Sequence, residues 1–313
     1  MKRVDDVVTT RTRSSDRDGA RVDGWAWRVA SGHTVRDISP MQPRLVVRRT
    51  AAALGILGPV FALYRWVRES SPKLLIANLR SRRAARFEGL PVPPGRLLYL
   101  ASTTRDVPHF LQSGRAASDA LRTALLRVGK PIESAHDILD FGCGCGRVLR
   151  QWANLGETRV HGSDYNPKGV NWVRANLPWV DARVNGLAPP LAFTEASFDF
   201  VYALSVFTHL PVGLQADWID ELHRVLRPGG ILAISTMGDA YTHRLSPDEG
   251  RRFANGEIIT RDDSYAGTNL CAAYHSEAAV YKWLARGFRV VDFQASGARG
   301  NVKQDQYLLL RVP

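Results

Sequence analysis

The residues of this sequence best suited to ligand binding are an aspartate followed by three alternating glycines, in Asp140-Phe141-Gly142-Cys143-Gly144-Cys145-Gly146-Arg147. Glycine has no Cβ atom, so a glycine-rich turn between a strand and a helix lets the backbone approach a ligand closely. The carboxylate of Asp140 can accept hydrogen bonds from an ammonium group. Because residue 147 is Arg, the spacing differs from the Gly-x-Gly-x-x-Gly of dinucleotide-binding folds. The turn therefore predicts a cofactor that carries an ammonium group.

Four later segments complete a pattern in which this turn is the first motif. Together they resemble, in the same order, the motifs of class I S-adenosylmethionine (SAM)-dependent methyltransferases: His161-Gly162-Ser163-Asp164, Asn185-Gly186-Leu187, residues 198–205 and residues 221–230. The resemblance covers residues 97–313 and implies SAM as cofactor and S-adenosylhomocysteine as product. It implies cofactor contacts by Asp140, Gly142, Gly144, Gly146, Asp164, Asn185, Gly186, Leu187 and Ser205.

The resemblance gives two of these residues distinct roles. The family's acidic residue at the position of Asp164 binds both ribose hydroxyls, and a carboxylate offers two acceptor atoms to a vicinal diol. Asn185 lies where the family contacts adenine, often through an acidic residue, so Asn185 departs from that pattern.

Methyl transfer to oxygen or nitrogen generally requires a base that removes a proton from the acceptor. His275 is our first candidate because it lies where a long connection returns to the sheet, and His209, which follows the fourth strand, is the second. Other polar residues near the predicted site could act as bases or hold the acceptor: Asp239, His243, Asp262, Asp263, Arg299, Asn301 and Lys303. Asp262 and Asp263 could instead bind a divalent ion, but an adjacent acidic pair is more often a solvated turn, and no metal site is predicted.

Strands alternate with helices from residue 137 onward, which predicts an α/β fold with a doubly wound, mostly parallel seven-stranded sheet. The predicted strands are 138–141, 159–162, 182–185, 198–203 and 231–235, followed by an antiparallel pair at 288–293 and 306–312. Helices are predicted for residues 106–128, from the glycine turn to Leu155, from Pro167 onward, and for residues 212–226 and 276–286.

The chain is predicted to have three parts. Residues 1–43 read as a flexible arm, residues 44–96 as a basic helical appendage ending in a Pro-rich linker, and residues 97–313 as the methyltransferase domain. Residues 237–275 form an unusually long connection, which predicts a lid over the acceptor. The apolar stretch 51–64 is too short to span a bilayer, and the polar residues 1–44 do not resemble a signal peptide.

The net charge of +12 is concentrated in the N-terminal third, where residues 1–99 hold 19 Lys and Arg against 8 Asp and Glu. The remainder is nearly neutral, which argues against nucleic acid as the acceptor. We therefore predict transfer to oxygen of a small molecule or glycan. Two alternatives remain. The acceptor could be RNA or a lipid-linked molecule at a membrane surface, delivered by residues 44–96, or the protein could be a non-catalytic SAM-binding scaffold. Residues 44–96 could also mediate formation of a homodimer. The three cysteines make no disulfide framework, which suggests a cytoplasmic protein.

Overall fold

The computed structural model describes residues 72–87, 90–102 and 104–312. The chain divides into two units, Met1–Val60 and Phe61–Pro313, and the described residues belong to the second. The predicted arm (1–43), the apolar stretch 51–64 and the rest of residues 44–71 lie outside the described residues. Within the described ranges, every helix is too short or too polar to cross a membrane.

The centre of the second unit is a seven-stranded sheet. Its strands are β1 (Asp137–Phe141), β2 (Arg159–Asp164), β3 (Val180–Val184), β4 (Phe198–Ala203), β5 (Leu226–Thr236), β8 (Phe288–Gln294) and β9 (Asp305–Arg311). Their order across the sheet is β3-β2-β1-β4-β5-β9-β8. Strands β1 to β5 pair in parallel, whereas β9 runs antiparallel to β5 and β8. The predicted fold class is confirmed, including the antiparallel pair at the end of the chain.

Helices cover both faces of the sheet. They are α1 (Pro72–Phe87), α2 (Gly95–Ser102), α3 (Val107–Arg127), α4 (Pro167–Asn176), α5 (Val212–Val225), α6 (Pro247–Ala254) and α7 (Glu277–Ala279), which continues as a π-turn over Val280–Leu284. Successive residues of β1 enter opposite layers: Ile138 packs with α3 and α4, and Leu139 packs with α5. This alternation is the two-residue period of a strand buried on both faces.

Two predicted boundaries differ from the structure. Residues after the glycine turn form only a 3₁₀ turn, Leu149–Trp152, instead of a helix to Leu155. Gly146 and Gly156, on either side of this stretch, both have positive φ, which interrupts a right-handed helix at those two positions. Strand β5 also begins at Leu226, before the predicted start at residue 231, because residues 227–230 form a bulge between the pairs Phe198–Leu226 and Phe200–Ile231.

The Pro-rich linker packs between helix α1 and the segment that follows the glycine turn. Proline has no backbone N–H, and the linker carbonyls accept hydrogen bonds from arginines on both sides: Arg82 of α1 binds Val92 and Pro93, and Arg150 binds Leu90. Val92 is buried with residues of α2 and α3. Helix α1 and the linker therefore belong to the second unit together with the sheet.

Residues 237–275 fold as an insertion with its own small core. It contains the 3₁₀ turn Asp239–Arg244, helix α6, and an antiparallel pair formed by β6 (Ile259–Arg261) and β7 (Ala272–Tyr274). Its apolar residues are Met237, Tyr241, Phe253, Ile259, Ala272 and Tyr274. The long connection is therefore an ordered layer of the structure.

Candidate active site

A cleft of about 450 Å³ opens at the carboxyl ends of β1, β2, β3 and β4. Pockets that hold small ligands usually have this volume or more, and ligands of open α/β sheets bind at this edge. The structure brings eight of the nine predicted cofactor residues to the cleft lining: Asp140, Gly142, Gly144, Asp164, Asn185, Gly186, Leu187 and Ser205. Gly146 is not part of that lining.

The glycine turn is shaped by positive φ and by close packing. Gly146 has φ +78°, and a Cβ atom there would lie 2.7 Å from Leu177 Cδ1. Gly144 has φ +56°, and its Cβ would meet only Ala101 of α2, at 3.4 Å. Gly146 thus lets the turn approach the protein's own core, while Gly144 belongs to the part that faces the cleft.

Asp164, at the end of β2, is held by backbone amides. Its Oδ2 accepts a hydrogen bond from Gly144 N (2.7 Å) and its Oδ1 accepts one from Asn166 N (2.8 Å). Each carboxylate oxygen can accept a second hydrogen bond, so both remain able to bind ribose hydroxyls. Burial raises the pKa of Asp164, and the two amide bonds oppose that shift.

Asp140, at the end of β1, is a buried carboxyl. Burial raises its pKa to about 7, against the hydrogen bond from Tyr202 and the positive charge of Arg147. Arg147 is itself buried and donates to Ser113 O (3.0 Å) and Asn301 Oδ1 (2.9 Å). An ammonium group near Asp140 would favour its ionised form, as the cofactor assignment requires.

The end of the cleft beyond β3 has a polar and an apolar component. Asn185 Oδ1 accepts a hydrogen bond from Ser163 Oγ (2.6 Å), and its Nδ2 donates to Gly186 O (2.6 Å). The Leu187 side chain remains 41% exposed, so it offers an apolar surface to a flat ring. Asn185 is therefore engaged in shaping this loop.

Ser205 follows β4 in a strained conformation with φ +61°. Its N–H donates to Ser235 Oγ (2.7 Å), its Oγ accepts from Gln304 Nε2 (2.9 Å), and Ser235 Oγ donates to Gln304 Oε1 (2.7 Å). The three side chains tie the loop after β4 to β5 and to the segment before β9. Ser205 thus helps to fix the wall of the cleft where β4 ends.

His209 lines the cleft in a defined tautomer. Its Nδ1 lies 2.8 Å from Cys271 O, and because a carbonyl only accepts hydrogen bonds, Nδ1 carries the proton. Nε2 is then an unprotonated acceptor, with no hydrogen-bond partner in the described part of the chain. Burial lowers the pKa of His209, opposed by the bond to Cys271, so the ring is neutral near pH 7.

The structure does not bring His275, the first candidate base, to the cleft. Its side chain is fully buried, and Nε2 lies 2.8 Å from Gln215 Oε1. The amide nitrogen of Gln215 donates to Phe207 O and Leu210 O, so its oxygen accepts and His275 Nε2 donates. Burial lowers the pKa of His275 to about 3. This histidine therefore ties the segment after β7 to α5, while Gln215 itself ties α5 to the loop after β4.

Most of the other polar candidates lie outside the cleft. Asn301 lines it, whereas Asp239, His243, Asp262, Asp263, Arg299 and Lys303 do not. Asp263 is exposed and accepts a hydrogen bond from Thr260. Among the described residues, no group of three or more His, Cys, Asp and Glu side chains is arranged to hold a metal ion.

Several cleft residues were not predicted from the sequence. In the sequence, Arg147 was singled out only because it departs from the dinucleotide-binding spacing. Gln304 lies in the loop from which only Arg299, Asn301 and Lys303 were named as candidates. Tyr241 and Arg244 lie in the insertion, which was predicted as a lid without a role for either residue. These residues reach the cleft through tertiary folding of segments that are distant from the motifs in sequence.

Comparison with known proteins agrees with this geometry. A family model described as a methyltransferase domain matches residues 139–234. A probable S-adenosylmethionine-dependent methyltransferase of Mycolicibacterium smegmatis is 41% identical over 186 residues, which cover 57% of this chain and 71% of that protein. A trans-aconitate 2-methyltransferase of Azoarcus sp. is 32% identical over 151 residues, or 45% of this chain and 55% of that protein.

Similar solved structures include 1,6-didemethyltoxoflavin-N1-methyltransferase of Burkholderia thailandensis with bound 1,6-didemethyltoxoflavin and S-adenosylhomocysteine. It is 18% identical with a TM-score of 0.47, and the match covers 78% of this chain and 92% of that one. The matched family segment contains the glycine turn, β2, β3 and β4, from which most of the predicted cofactor residues come.

Proposed function

Because the chain belongs to the S-adenosylmethionine-dependent methyltransferases, we propose that it methylates an oxygen atom of a small-molecule or glycan acceptor, with His209 as general base. The observation that carries the proposal is the hydrogen bond from His209 Nδ1 to Cys271 O. It leaves Nε2 as a proton acceptor on a side chain that lines the cleft.

The cleft residues fit the cofactor chemically. Asp164 would accept hydrogen bonds from the ribose diol, Asp140 would balance the ammonium group, and Leu187 would pack against the adenine. When bound, SAM supplies an electrophilic methyl group, and the protein supplies positioning and proton transfer. Among the described residues, the only carboxylates that line the cleft are those of Asp140 and Asp164. Because both would bind the cofactor, neither is free to serve the acceptor.

A hydroxyl acceptor needs a base that is unprotonated at working pH and has an available lone pair. His209 meets both conditions, since burial lowers its pKa and the Cys271 carbonyl fixes the tautomer. The same carbonyl stabilises the imidazolium that forms when Nε2 takes the proton, because Nδ1–H remains bonded to it. A thiolate or an activated carbon would not need this group.

The size and composition of the cleft support a small acceptor. The insertion contributes Met237, Tyr241, Arg244, Gly267, Thr268 and Asn269 to its lining, a mixture of apolar, aromatic and polar groups suited to a molecule with several hydroxyls. The name of the Azoarcus relative, a trans-aconitate 2-methyltransferase, also refers to a small molecule.

The decisive experiment compares His209→Gln with the wild type. A panel of phenols, sugars and hydroxy acids is first screened for methyl transfer. With the acceptor that is found, we expect kcat to fall by about 100-fold or more in the variant, because general-base catalysis contributes about 10²- to 10⁴-fold. Affinity for S-adenosylhomocysteine, measured by calorimetry, should stay unchanged.

Two controls make this result specific to His209. His243→Gln removes an exposed histidine of the insertion that does not line the cleft and should leave kcat unchanged. For the wild type, kcat/KM should rise with pH and reach a plateau above a pKa that is below the usual 6.5 of histidine. Full activity of His209→Gln would refute its role as base.

A further inference from the structure

We propose that Tyr241 and Arg244 form an anion subsite in the cleft, which binds a carboxylate or phosphate group of the acceptor. This inference depends on the proposed function, because it assigns the subsite to the molecule that is methylated. Both residues line the cleft, and both belong to the 3₁₀ turn Asp239–Arg244.

The turn places the guanidinium of Arg244 on a rigid support. Residues three apart lie on the same face of a 3₁₀ helix, and Arg244 Cζ lies 4.7 Å from the centre of the Tyr241 ring. The ring is buried, and its hydroxyl donates a hydrogen bond to Val302 O. Stacking on the ring leaves the N–H groups at the guanidinium edge available for a planar anion.

Arg244 differs from the other arginines of the insertion in having no acidic partner. Arg251 pairs with Asp248 at 3.0 Å, Arg252 with Glu257 at 2.8 Å, and Arg261 with Glu249. Within the described ranges no carboxylate lies within ion-pair distance of Arg244. The one arginine of this layer that lines the cleft is thus exposed and has no acidic partner among the described residues.

The other charges of the cleft lie on the cofactor side. Asp140 and Asp164 stand at the ends of β1 and β2, and two amides already bind Asp164. Arg147, the second arginine of the lining, is committed to Ser113 O and Asn301 Oδ1. The acceptor side therefore carries an unpaired positive charge, which favours a ligand with a negative group.

A guanidinium binds a carboxylate or phosphate through two parallel hydrogen bonds, which fix orientation as well as adding affinity. Since His209 lines the same cleft, an acceptor held at Arg244 by its anionic group could present a hydroxyl to His209 Nε2. This arrangement would discriminate against neutral analogues of the acceptor.

Anion binding tests the subsite without knowledge of the acceptor. The protein loaded with S-adenosylhomocysteine is titrated with inorganic phosphate and, separately, with succinate, at constant ionic strength in a chloride buffer. We expect at least one of these anions to bind the wild type, and Arg244→Ala to weaken that binding by about tenfold or more. Arg244→Lys should retain more affinity for phosphate than for succinate, because lysine lacks the planar fork.

The matched control is Arg251→Ala, which removes the same charge from an exposed pair of the same insertion and should change anion binding by about twofold at most. Equal anion affinity in Arg244→Ala and Arg251→Ala, or no anion binding to the loaded wild type, would overturn the proposal. Weaker S-adenosylhomocysteine binding in Arg244→Ala would also overturn it, because the arginine would then hold the cofactor. The proposed function fails in a separate measurement, the kcat of His209→Gln.

Discussion

At the scale of single residues, the hydrogen-bond partner decides what a histidine can do. His209 and His275 are both neutral and belong to neighbouring segments. A backbone carbonyl fixes the proton of His209 on Nδ1, whereas the side-chain oxygen of Gln215 fixes that of His275 on Nε2. The unprotonated nitrogen of His275 is buried without a partner in the described part of the chain. Of these two histidines, only His209 therefore combines an available lone pair with a position at the cleft.

Asp164 allows a direct test of the cofactor site at this scale. Replacing it with alanine removes both proposed ribose acceptors and the acceptor for Gly144 N. We expect S-adenosylhomocysteine to bind about 100-fold more weakly or worse, since two hydrogen bonds to a charged group are lost and each contributes about 1.5–3 kcal/mol. Calorimetry measures this loss.

The matched variant is Asp181→Ala, which removes an aspartate of the adjacent strand β3 that pairs with Arg183 and does not line the cleft. It should bind the ligand like the wild type. Unchanged affinity of Asp164→Ala would show that the cleft holds the cofactor through other residues.

At the scale of elements, the glycine turn shows how a motif can serve the fold and the ligand through different members. Gly144 lies at the cleft, and Gly146 lies against Leu177 and Val173. We infer that the two glycines act together: Gly146 allows the turn to pack on the core, and this packing places Gly144 and Asp140 at the cleft.

Gly146→Ala and Gly156→Ala separate packing from backbone strain. Both glycines have positive φ, but a Cβ at Gly156 would meet no atom within 4 Å, while one at Gly146 would clash. Gly156→Ala should destabilise the protein by about 1–2 kcal/mol, the cost of a left-handed conformation. Gly146→Ala should lose more, because overpacking adds about 1–3 kcal/mol.

Denaturant unfolding measures both values, and calorimetry shows whether the shifted turn also weakens S-adenosylhomocysteine binding in Gly146→Ala. Equal unfolding free energies for the two variants would mean that Leu177 moves away without cost and that strain alone requires the glycine.

At the scale of the whole molecule, the ligand cleft and one group of stabilising ion pairs lie at opposite ends of the parallel strands. The cleft lies at the carboxyl ends of the parallel strands. At the opposite ends, buried Asp137 of β1 accepts hydrogen bonds from Arg159 (2.6 and 2.7 Å) and Arg227 (2.9 Å). Burial alone would raise the pKa of Asp137, but these two arginines lower it to about 2.

Asp137→Asn should therefore lower the melting temperature by several degrees at neutral pH and leave S-adenosylhomocysteine affinity unchanged. Because the pKa of Asp137 is lower in the folded state, its contribution is present above the ordinary value near 3.8 and is lost as pH falls toward 2. The difference in melting temperature between wild type and variant should shrink over that range.

Asp248→Asn is the control for this prediction, because Asp248 is exposed and its pair with Arg251 is solvated; its melting temperature should match that of the wild type. A large loss of ligand affinity in Asp137→Asn would mean that the two ends of the sheet are coupled.

The sequence by itself determined the features that depend on local order along the chain. Apolar strands alternating with helices specify the parallel sheet, and the aspartates and glycines at the strand ends mark the cofactor side of the cleft, because parallel strands bring their carboxyl ends to one edge. The helix over Val107–Arg127, capped by Asp106, follows from its apolar period in the same way.

Only the tertiary structure decided which residues from distant segments complete the site. His209 was the second candidate base in the sequence, and a carbonyl 62 residues away fixes the tautomer on which the proposal rests. His275, the first candidate, was excluded from the cleft by burial against Gln215 of α5. Arg244 was identified only because each of the other arginines of the insertion forms an ion pair with an acidic residue in the folded protein. Tautomer, burial and ion pairing depend on contacts between segments far apart in sequence, and the local pattern of residue types does not encode them.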